Sequence, residues 1–319
     1  MSTASTVPIV VRNLEERALP EADRIYRLAF GTFLNLPDPT TFAADRGVIQ
    51  TRWVADPAAA LGATIDGELA GSNFLARWGS VAFFGPLTVL PGLWGTGVAK
   101  RLLEATLEMF SAWQVTHAGL YTFSASVKHV ALYQKFNFWP RYLTLNMARP
   151  VRAELAASEY TGYSQLSPLE KQRALEGCGK VTGEIYPGLD VSLEIRSVDA
   201  QRLGETVLLY DDSELAGLAV AQCGAGTEAG PGICYVKFAA VRSGADADRY
   251  FRELLDRCES FAASQGAATL TGGMNAARDR AYRSMLDQGF RIESQGLIMQ
   301  RGDEIGYNRS DVYLIDDWR

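Results

Sequence analysis

The sequence FFGPLTVLPGLWGTGVAKRLL, at residues 83–103, combines three features in one short segment. An apolar run from Phe83 to Leu90 reads as a β-strand, a turn rich in glycine follows, and an amphipathic helical pattern begins near Val98. A strand that leads through such a turn into a helix points several unpaired backbone N–H groups in one direction, at the positive end of the helix dipole. Phosphate binds to this arrangement, and glycine permits it because no Cβ blocks the approach of an anion. The segment therefore predicts a phosphate-bearing ligand.

The turn matches neither of the common nucleotide-binding loops. A P-loop requires G-x-x-x-x-G-K-[ST], and this string does not occur in the chain. A dinucleotide fingerprint requires G-x-G-x-x-G, and Lys100 stands where its third glycine would be. For this segment taken alone, an ordinary helix-start turn without a ligand is the alternative interpretation.

The order of strand, proline, aromatic residue, Gly-x-Gly-x-Ala and helix resembles the coenzyme A loop of the GNAT N-acetyltransferase superfamily. That loop usually reads R/Q-x-x-G-x-G/A, and its three marked positions are taken here by Trp94, Gly97 and Ala99. Trp94 departs from the pattern, since relatives carry a side-chain donor at its position. Backbone N–H groups supply most of the grip of such a loop, so the resemblance still implies acetyl-CoA as the ligand.

A second segment, SVKHVALYQKFNF at residues 126–138, resembles the helix of the same family that reads N-x-x-A-x-x-L-Y-x-x-x-G-F. Three residues fall on the family's positions, namely Leu132, Tyr133 and Phe138. Three others replace its asparagine, alanine and glycine, namely Ser126, His129 and Asn137. The last change is mild, because asparagine is the commonest non-glycine residue at a left-handed helix end. The two motifs have the order and separation that the family shows, and the resemblance covers residues 8–150.

The second half of the chain repeats the plan of the first. DGELAG at residues 66–71 recurs as DSELAG at 212–217, and Phe138 is matched by Phe290. Similarity at this level predicts two copies of one fold. The expected class is α/β (α+β), with two tandem GNAT-like domains, each a central mixed, mostly antiparallel sheet flanked by helices.

The boundary between the copies is expected near Pro150, which gives a GNAT-like, catalytic domain at residues 1–150 and a second copy at 151–319. Helical connectors are expected at 153–159 and 166–174. In the first copy, strands are expected at residues 9–11, 60–65, 70–76, 83–90, 119–124 and 142–147. Helices are expected to begin at Pro20 and to run from 40 to 55. In the second copy, a strand at 234–240 precedes a helix.

The second copy differs where the chemistry would be. Its loop reads VRSGADAD at residues 241–248, with one glycine and with two carboxylates, Asp246 and Asp248, at the helix start. These carboxylates suit the helix dipole but repel an incoming phosphate. We therefore interpret the second copy as a degenerate domain that covers the sheet edge of the first copy, shapes its acceptor cleft, or both.

The resemblance implies which residues contact acetyl-CoA. Main-chain groups of Leu87, Thr88 and Val89 would pair with the pantetheine arm, and backbone N–H groups of the turn would hold the pyrophosphate. The full set of expected contacts is Leu87, Thr88, Val89, Trp94, Gly95, Thr96, Gly97, Val98, Ala99, Lys100 and Ser126. Lys100 and Arg101 would add charge near the outer phosphates, or else form a solvated helix start.

Acyl transfer to an amine requires a neutral nucleophile, a donor for the oxyanion and a proton for the leaving thiolate. A backbone N–H of the strand at 83–90 suits the oxyanion, and Tyr133 is expected by position to be the general acid. The alternative for Tyr133 is a ring that packs on the core.

The general base is not evident, because the strand at 83–90 contains no acid. Asp38, Asp45 and His129 are the candidates, and a water chain to solvent is the default. His117 opens a strand and is expected to be structural. Too few histidines are present for a nucleophilic triad, and no G-x-S-x-G motif occurs.

Composition favours a cytoplasmic enzyme. The chain has 319 residues, 47% of them hydrophobic, which suffices for two buried cores. No apolar run approaches the roughly 18 residues that span a bilayer, and residues 1–6 do not form a secretory signal. The net charge of −6 disfavours nucleic acid as a partner and is compatible with a cationic amine. The cysteines form no C-x-x-C pair, which predicts reduced, buried thiols and no metal: Cys178, Cys223, Cys234 and Cys258.

The leading hypothesis is an acetyl-CoA-dependent N-acetyltransferase that acts on a primary amine of a small molecule or peptide. A non-catalytic module that binds acyl-CoA, or only partners, is the main alternative, and a nucleotide-binding regulatory domain is a third. At the end of the sequence, the segment at residues 316–319 is interpreted as a frayed tail. The alternatives are that residues 312–315 add an edge strand or dock on the first domain, and the sequence does not choose among these.

Overall fold

The structure is a computed structural model that describes residues 8–319, and these residues form two compact units. The first unit holds the residues up to 44 together with 48–76 and 84–114, and the second unit holds 45–47, 77–83 and 115–319. These units are defined by contacts, whereas the boundary expected near Pro150 divides repeats in the sequence, and it stays a prediction. Residues 1–6, interpreted above as lacking a secretory signal, lie outside the described range.

Among its described residues, the first unit has a sheet in the order β1-β2-β3-β4. The strands are β1 (Val10–Asn13), β2 (Ala60–Ile65), β3 (Glu68–Trp78) and β4 (Val81–Val89), and the ends of β3 and β4 that flank residues 79–80 belong to the second unit. The helices are α1 (Leu19–Phe33), α2 (Val48–Ala55) and α3 (Val98–Ala112). The predicted strands and the helix starts near Pro20 and Val98 are confirmed to within a few residues.

The hairpin between β2 and β3 shows how directly local sequence sets this part of the fold. Ile65 pairs with Glu68, so Asp66 and Gly67 form a two-residue turn. Their φ angles are 53° and 85°, which is the left-handed geometry that Asp-Gly supplies in tight hairpins. The Asp-Gly pair therefore fixes the register of the two strands.

The helix predicted from residue 40 to 55 is too long. A 3-10 turn occupies Pro39–Thr41, and α2 begins only at Val48. Asp38 caps this 3-10 turn by accepting a hydrogen bond from the Thr40 backbone N–H at 2.9 Å. Ala43 adopts a φ of 51°, which lies outside the α-helical range. Local capping and a left-handed residue therefore override an apolar pattern that is compatible with a helix.

The second unit contains the remaining strands. They are β5 (His117–Thr122), β6 (Phe138–Pro150), β7 (Thr161–Gly162), β8 (Gly204–Asp211), β9 (Glu214–Gly224), β10 (Gly230–Val241), β11 (Thr269–Asn275), β12 (Arg291–Arg301) and β13 (Leu314–Ile315). Their order is β5-β12-β6-β11-β10-β9-β8-β7, and β13 pairs with β10. Within this unit β10 and β11 are parallel, and the other described pairs are antiparallel. The predicted mixed, mostly antiparallel sheet is thus confirmed.

The final strands of the two repeats are exchanged. Strand β12, from the second repeat, pairs with β5 from the first, with Leu297 opposite Thr122. Strand β6, from the first repeat, lies between β12 and β11 and pairs with both along most of its length. The two repeats therefore share one hydrogen-bonded sheet in the second unit, and both neighbours of β6 come from the second repeat.

Five helices flank this sheet among the described residues of the second unit. They are α4 (Val127–Gln134), α5 (Pro168–Ile185), α6 (Ser192–Gln201), α7 (Ala247–Ser264) and α8 (Asp279–Asp287). The amphipathic helix α7 contributes the largest share of the core cluster, through residues such as Phe251, Leu254 and Leu255. The connector expected at 153–159 is a 3-10 turn, and the one expected at 166–174 begins at a capping box on Ser167 and continues much further.

In the described part of the chain, none of the helices is long and apolar enough to cross a membrane.

Candidate functional site

The glycine turn has the predicted geometry. After β4 a 3-10 turn spans Pro91–Leu93, and α3 begins at Val98 with Gly97 as its N-terminal cap. The φ angles of Gly95 and Gly97 are 84° and 101°, values that cost an L side chain about 1–2 kcal/mol. A Cβ at Gly95 would meet nothing within 4 Å, and one at Gly97 would meet only Ile9 at 3.8 Å. Glycine is therefore required here by backbone conformation and leaves open space above the turn.

The N-terminus of α3 presents backbone donors. No side chain caps the helix at Gly97, and the N–H groups of a first helical turn have no acceptor within their own helix. Val98 is buried and anchors this turn, whereas Lys100 is exposed. The result is a set of parallel N–H dipoles at the positive end of a 15-residue helix, which is an anion-binding arrangement.

Thr96 and Trp94 are exposed, and both hold the turn in shape through hydrogen bonds. The backbone N–H and the hydroxyl of Thr96 both donate to the Leu93 carbonyl, at 3.3 and 2.7 Å. The indole Nε1 of Trp94 donates to the Val89 carbonyl at 2.8 Å and so fastens the turn to the last residue of β4. The tryptophan that departs from the family pattern therefore has a structural role in this chain.

The cationic side chains at the start of α3 are partly compensated. Lys100 and Arg101 both form ion pairs with Glu104, at 3.8 and 2.6 Å, on the exposed surface of the helix. Exposed pairs of this kind contribute little to stability. The main feature of the turn that would attract an anion is therefore its set of backbone dipoles.

The end of β4 leads straight into the turn. Thr88 and Val89 are buried, and the Thr88 hydroxyl lies 3.2 Å from that of Ser72. Because these side chains are directed into the protein, only their main-chain groups are available for a ligand. Arg52, on α2, donates a hydrogen bond to the carbonyl of Gly85 in the same strand. Arg52 could not be recognised from the sequence, since a single arginine on a helix has no characteristic spacing.

Tyr133, Ser126 and His129 belong to the second unit, on or beside α4. Ser126 caps the helix by accepting a hydrogen bond from the His129 backbone N–H at 3.4 Å, which is the role that asparagine could also fill. The helix is followed by Asn137 at a φ of 62°, so the predicted left-handed ending is confirmed.

Tyr133 is the buried residue of α4. Burial alone raises the pKa of its phenol well above the ordinary value near 10, because the charged phenolate would lose its hydration. The hydroxyl therefore keeps its proton throughout the neutral and mildly alkaline range. This is the protonation state that a general acid needs before the reaction, and it is also compatible with a packed core residue.

The candidate bases differ in their surroundings. Hydrogen bonds from the Thr40 hydroxyl and backbone N–H lower the pKa of Asp38, which makes this carboxylate a weaker base. Asp45 uses its backbone carbonyl to accept from the Gly226 N–H at 3.0 Å. Burial and the nearby Lys128 charge lower the pKa of His129, so its ring is neutral near pH 7.

His117 is buried in the second unit. Its ring lies 3.3 Å from the Gln300 side chain and against the rings of Tyr186, Tyr307 and Trp318. Burial lowers the pKa of His117, consistent with a neutral ring in a packed cluster. The expected structural role fits these contacts.

The end of the described chain is a strand within the sheet of the second unit. Ile315 and Leu314 pair with Ala239 and Ala240 of β10, while β10 pairs with β11 only at 233–236. On the other side, a Cβ on Gly273 of β11 would lie 2.0 Å from that of Asp317. The segment 314–317 therefore fills the gap where β10 and β11 part, and of the three alternatives left open it is nearest to the added strand.

Buried ion pairs and hydrogen bonds fasten this segment. Arg278 pairs with Asp316 at 2.7 Å, and the Tyr307 hydroxyl donates to the same carboxylate at 2.7 Å. The Tyr235 hydroxyl donates to Asp317 at 2.8 Å. Arg278, Tyr307 and Tyr235 were not singled out from the sequence, because their partners are distant in the chain.

The turn of the second repeat differs from the first by the acidic side chains at its helix start. Helix α7 begins at Ala247, with Asp246 before it and Asp248 in its first turn. Asp246 pairs with Arg249 at 3.2 Å and Asp248 pairs with Arg252 at 2.8 Å. Carboxylates thus occupy the helix start, as predicted.

Known proteins resemble this chain in sequence profile and in fold. Residues 20–138 match the sequence profile described as "Acetyltransferase (GNAT) family". No curated protein shows significant similarity to the chain.

Three solved structures have a similar fold over most of the chain. A Pyrococcus horikoshii protein described as a candidate acetyltransferase is 14% identical, with 97% of this chain and 95% of that one covered and a TM-score of 0.68. A GCN5-related N-acetyltransferase from Sphaerobacter thermophilus is 16% identical, with 92% and 96% covered and a TM-score of 0.58. A GCN5-related N-acetyltransferase from Anabaena variabilis is 13% identical, with 92% and 72% covered and a TM-score of 0.50. At these identities the likeness shows the fold, and the profile match indicates a domain similar to the GNAT acetyltransferase family at residues 20–138.

Proposed function

We propose that this protein is an acetyl-CoA-dependent N-acetyltransferase that transfers an acetyl group to a primary amine of a small molecule or peptide. The observation that carries the proposal is the uncapped N-terminus of α3 behind Gly95 and Gly97, inside the segment that matches the family. Backbone N–H groups of Gly95, Gly97 and Val98 bind the pyrophosphate, and main-chain groups of residues 87–89 pair with the pantetheine arm.

The reaction is a direct transfer. The neutral amine attacks the thioester carbonyl, and a backbone N–H of β4 stabilises the oxyanion that forms. As the carbon–sulfur bond breaks, Tyr133 donates its phenolic proton to the departing thiolate, and water accepts the proton that the amine loses. The phenol of Tyr133 is protonated when the reaction begins, as a general acid must be, although the burial that raises its pKa also makes it a weaker acid.

The second repeat takes no coenzyme in this proposal. Asp246 and Asp248 stand at its helix start, and residues 314–317 fill the space between β10 and β11. We therefore expect one molecule of acetyl-CoA per chain, and a role for the second repeat in completing the sheet.

Titration calorimetry with acetyl-CoA tests the loop. Gly97→Asp places a carboxylate where the pyrophosphate binds, and repulsion of several kcal/mol should weaken affinity at least ~100-fold. Gly67→Asp is the matched control, because Gly67 also has a positive φ, 85°, and open space around it, in a hairpin outside the turn. The control should keep the wild-type affinity, whereas equal affinity in all three proteins would remove the assignment of the loop.

Activity separates the enzyme from the binding module. Release of free coenzyme A thiol is measured with a panel of amines, aminoglycosides, amino acids and peptides. Turnover with any acceptor supports the transferase. Tight binding of acetyl-CoA without turnover across the panel would instead support a non-catalytic module. This module is the second candidate because residues 83–90 contain no acid that could serve as the general base.

A further inference from the structure

Two cysteines stand directly opposite each other in the second repeat. Cys223, near the end of β9, is the register partner of Cys234 in the antiparallel neighbour β10. Both are free thiols. The proposed acetyl transfer uses neither of them.

The backbone around this pair brings the side chains close. The Cys223 N–H donates to the Leu203 carbonyl at 2.9 Å, on the side of β9 that faces away from β10. The N–H and C=O of one strand residue point to the same side, so Cys223 and Cys234 form a non-hydrogen-bonded pair. The Cα atoms of such a pair lie about 4.5 Å apart, inside the range of about 4.4–6.8 Å found for disulfides. A bond between the sulfurs therefore needs only a small movement of the two strands.

The two thiols differ in access. Cys223 is half-buried and lines a cavity of about 450 Å³, together with Ser164, Asp199, Arg202, Leu203, Gly204 and Gln265. Cys234 is fully buried and belongs to the hydrophobic core cluster. A small oxidant can therefore reach Cys223 from solvent, whereas Cys234 is reached only through Cys223.

The two thiols also differ in acidity. A hydrogen bond from the Cys234 thiol lowers the pKa of Cys223, because it stabilises the thiolate. The same interaction and burial raise the pKa of Cys234 well above its ordinary value. The thiolate is the form that peroxide attacks, and an accessible, acidic thiol beside a second cysteine is the arrangement found in redox-sensing pairs.

We propose that Cys223 and Cys234 form a reversible peroxide-sensitive pair, in which Cys223 is oxidised first and Cys234 resolves it. The Cys223 thiolate, a proton and hydrogen peroxide give the sulfenic acid of Cys223 and water. The thiol of Cys234 then attacks that sulfur, and the disulfide forms with release of a second water. Two equivalents of a small thiol reduce the disulfide and restore both cysteines.

The other two cysteines serve as internal controls. Cys178 and Cys258 are buried, and burial raises the pKa of each thiol to about 12. Cys178 lies on helix α5 and Cys258 on helix α7, so neither stands opposite a second cysteine in the described strands. Both should stay reduced at peroxide concentrations that oxidise the pair.

Peptide mapping of the full chain after treatment with hydrogen peroxide is the test. Free thiols are blocked with N-ethylmaleimide, and the protein is then cleaved with trypsin and with a protease that cuts after glutamate. Trypsin leaves both cysteines in one peptide, residues 203–237, whereas cleavage after Glu214 and Glu228 separates them. We expect peptides 215–228 and 229–237 joined by a disulfide, with Cys223 and Cys234 losing maleimide labelling in equal proportion.

Variants establish the order of events. In Cys234→Ser, Cys223 should stop at the sulfenic acid and be trapped by dimedone, and Cys258→Ser should form the disulfide as the wild type does. The proposal is overturned if the wild type yields sulfinic acid on Cys223 with Cys234 still labelled, or if Cys178 or Cys258 is oxidised first. The wild-type map decides the matter on its own if a variant does not fold.

Discussion

Substitution of Trp318 by alanine tests whether the last described residues are an integral part of the second unit. The side chain is 3% exposed. Its ring stacks on Phe83 with centroids 5.8 Å apart and an angle of 6° between planes, and it meets the His117 ring edge-on at 5.8 Å. Gly119 of β5 makes room for it, since a Cβ there would lie 2.1 Å from the indole.

The size of the effect follows from the buried area. A buried aromatic side chain removes about 150–250 Å² from water, which at about 25 cal/mol per Å² corresponds to roughly 4–6 kcal/mol as an upper bound. Measured costs of tryptophan-to-alanine changes in cores are about 3–5 kcal/mol. The φ of Trp318 is 52°, and alanine keeps the same backbone cost, so the loss reports the ring itself. We expect Trp318→Ala to lower the free energy of unfolding by about 3–5 kcal/mol.

Urea unfolding, followed by far-ultraviolet circular dichroism, provides the measurement. Trp139→Ala is the matched control, because Trp139 lies on β6 with 44% of its surface exposed, and its loss should cost well under half as much. Gly119→Ala is the reciprocal change, since the new methyl group collides with the same ring and should also destabilise the protein. If Trp318→Ala unfolds at the same urea concentration as the wild type, the segment is a frayed tail and the reasoning is refuted.

Three further outcomes follow from the fold and the proposed mechanism. Tyr133→Phe should lower kcat by about 10²–10⁴-fold with little change in acetyl-CoA affinity, and an unaltered rate would return Tyr133 to a packing role. Burial favours the neutral phenol of Tyr133 in the folded state, so the pKa of Tyr133 exceeds the unfolded value near 10. The stabilisation from the neutral phenol is therefore fully present below pH 10 and is lost only as the pH rises through the folded-state pKa. A pH–rate profile should accordingly show no fall in kcat between pH 7 and 10 from loss of this proton. A fragment of residues 1–150 should be poorly soluble and should bind a hydrophobic dye, because β5 and β6 lose β12 and β11; a soluble, active fragment would show that the second repeat is dispensable.

The parts of the fold that local sequence determines were predictable. The Asp66-Gly67 hairpin, the helix that starts at Val98 and the left-handed Asn137 depend on the conformational preferences of a few neighbouring residues. The glycine turn could be recognised for the same reason. A site that binds its ligand through backbone groups can be recognised in the sequence by the glycines that allow the required backbone conformation.

Features that depend on distant partners were not predictable. β6 was expected at residues 142–147 but spans Phe138–Pro150, because strands β11 and β12 hydrogen-bond to its ends. The exchange of β6 and β12 could not be recognised in the sequence of either strand, because the alternation of side chains along a strand does not depend on which strand pairs with it. The buried pairing of Arg278 with Asp316 likewise joins residues whose charges look like ordinary surface charges in the sequence.

A crystal structure of the full chain with acetyl-CoA tests the central claim most directly. The account predicts one molecule per chain, with its diphosphate on the backbone N–H groups of Gly95, Gly97 and Val98 and no coenzyme between β10 and β11. A diphosphate bound at the start of α7, or no bound coenzyme at saturating concentration, would contradict it.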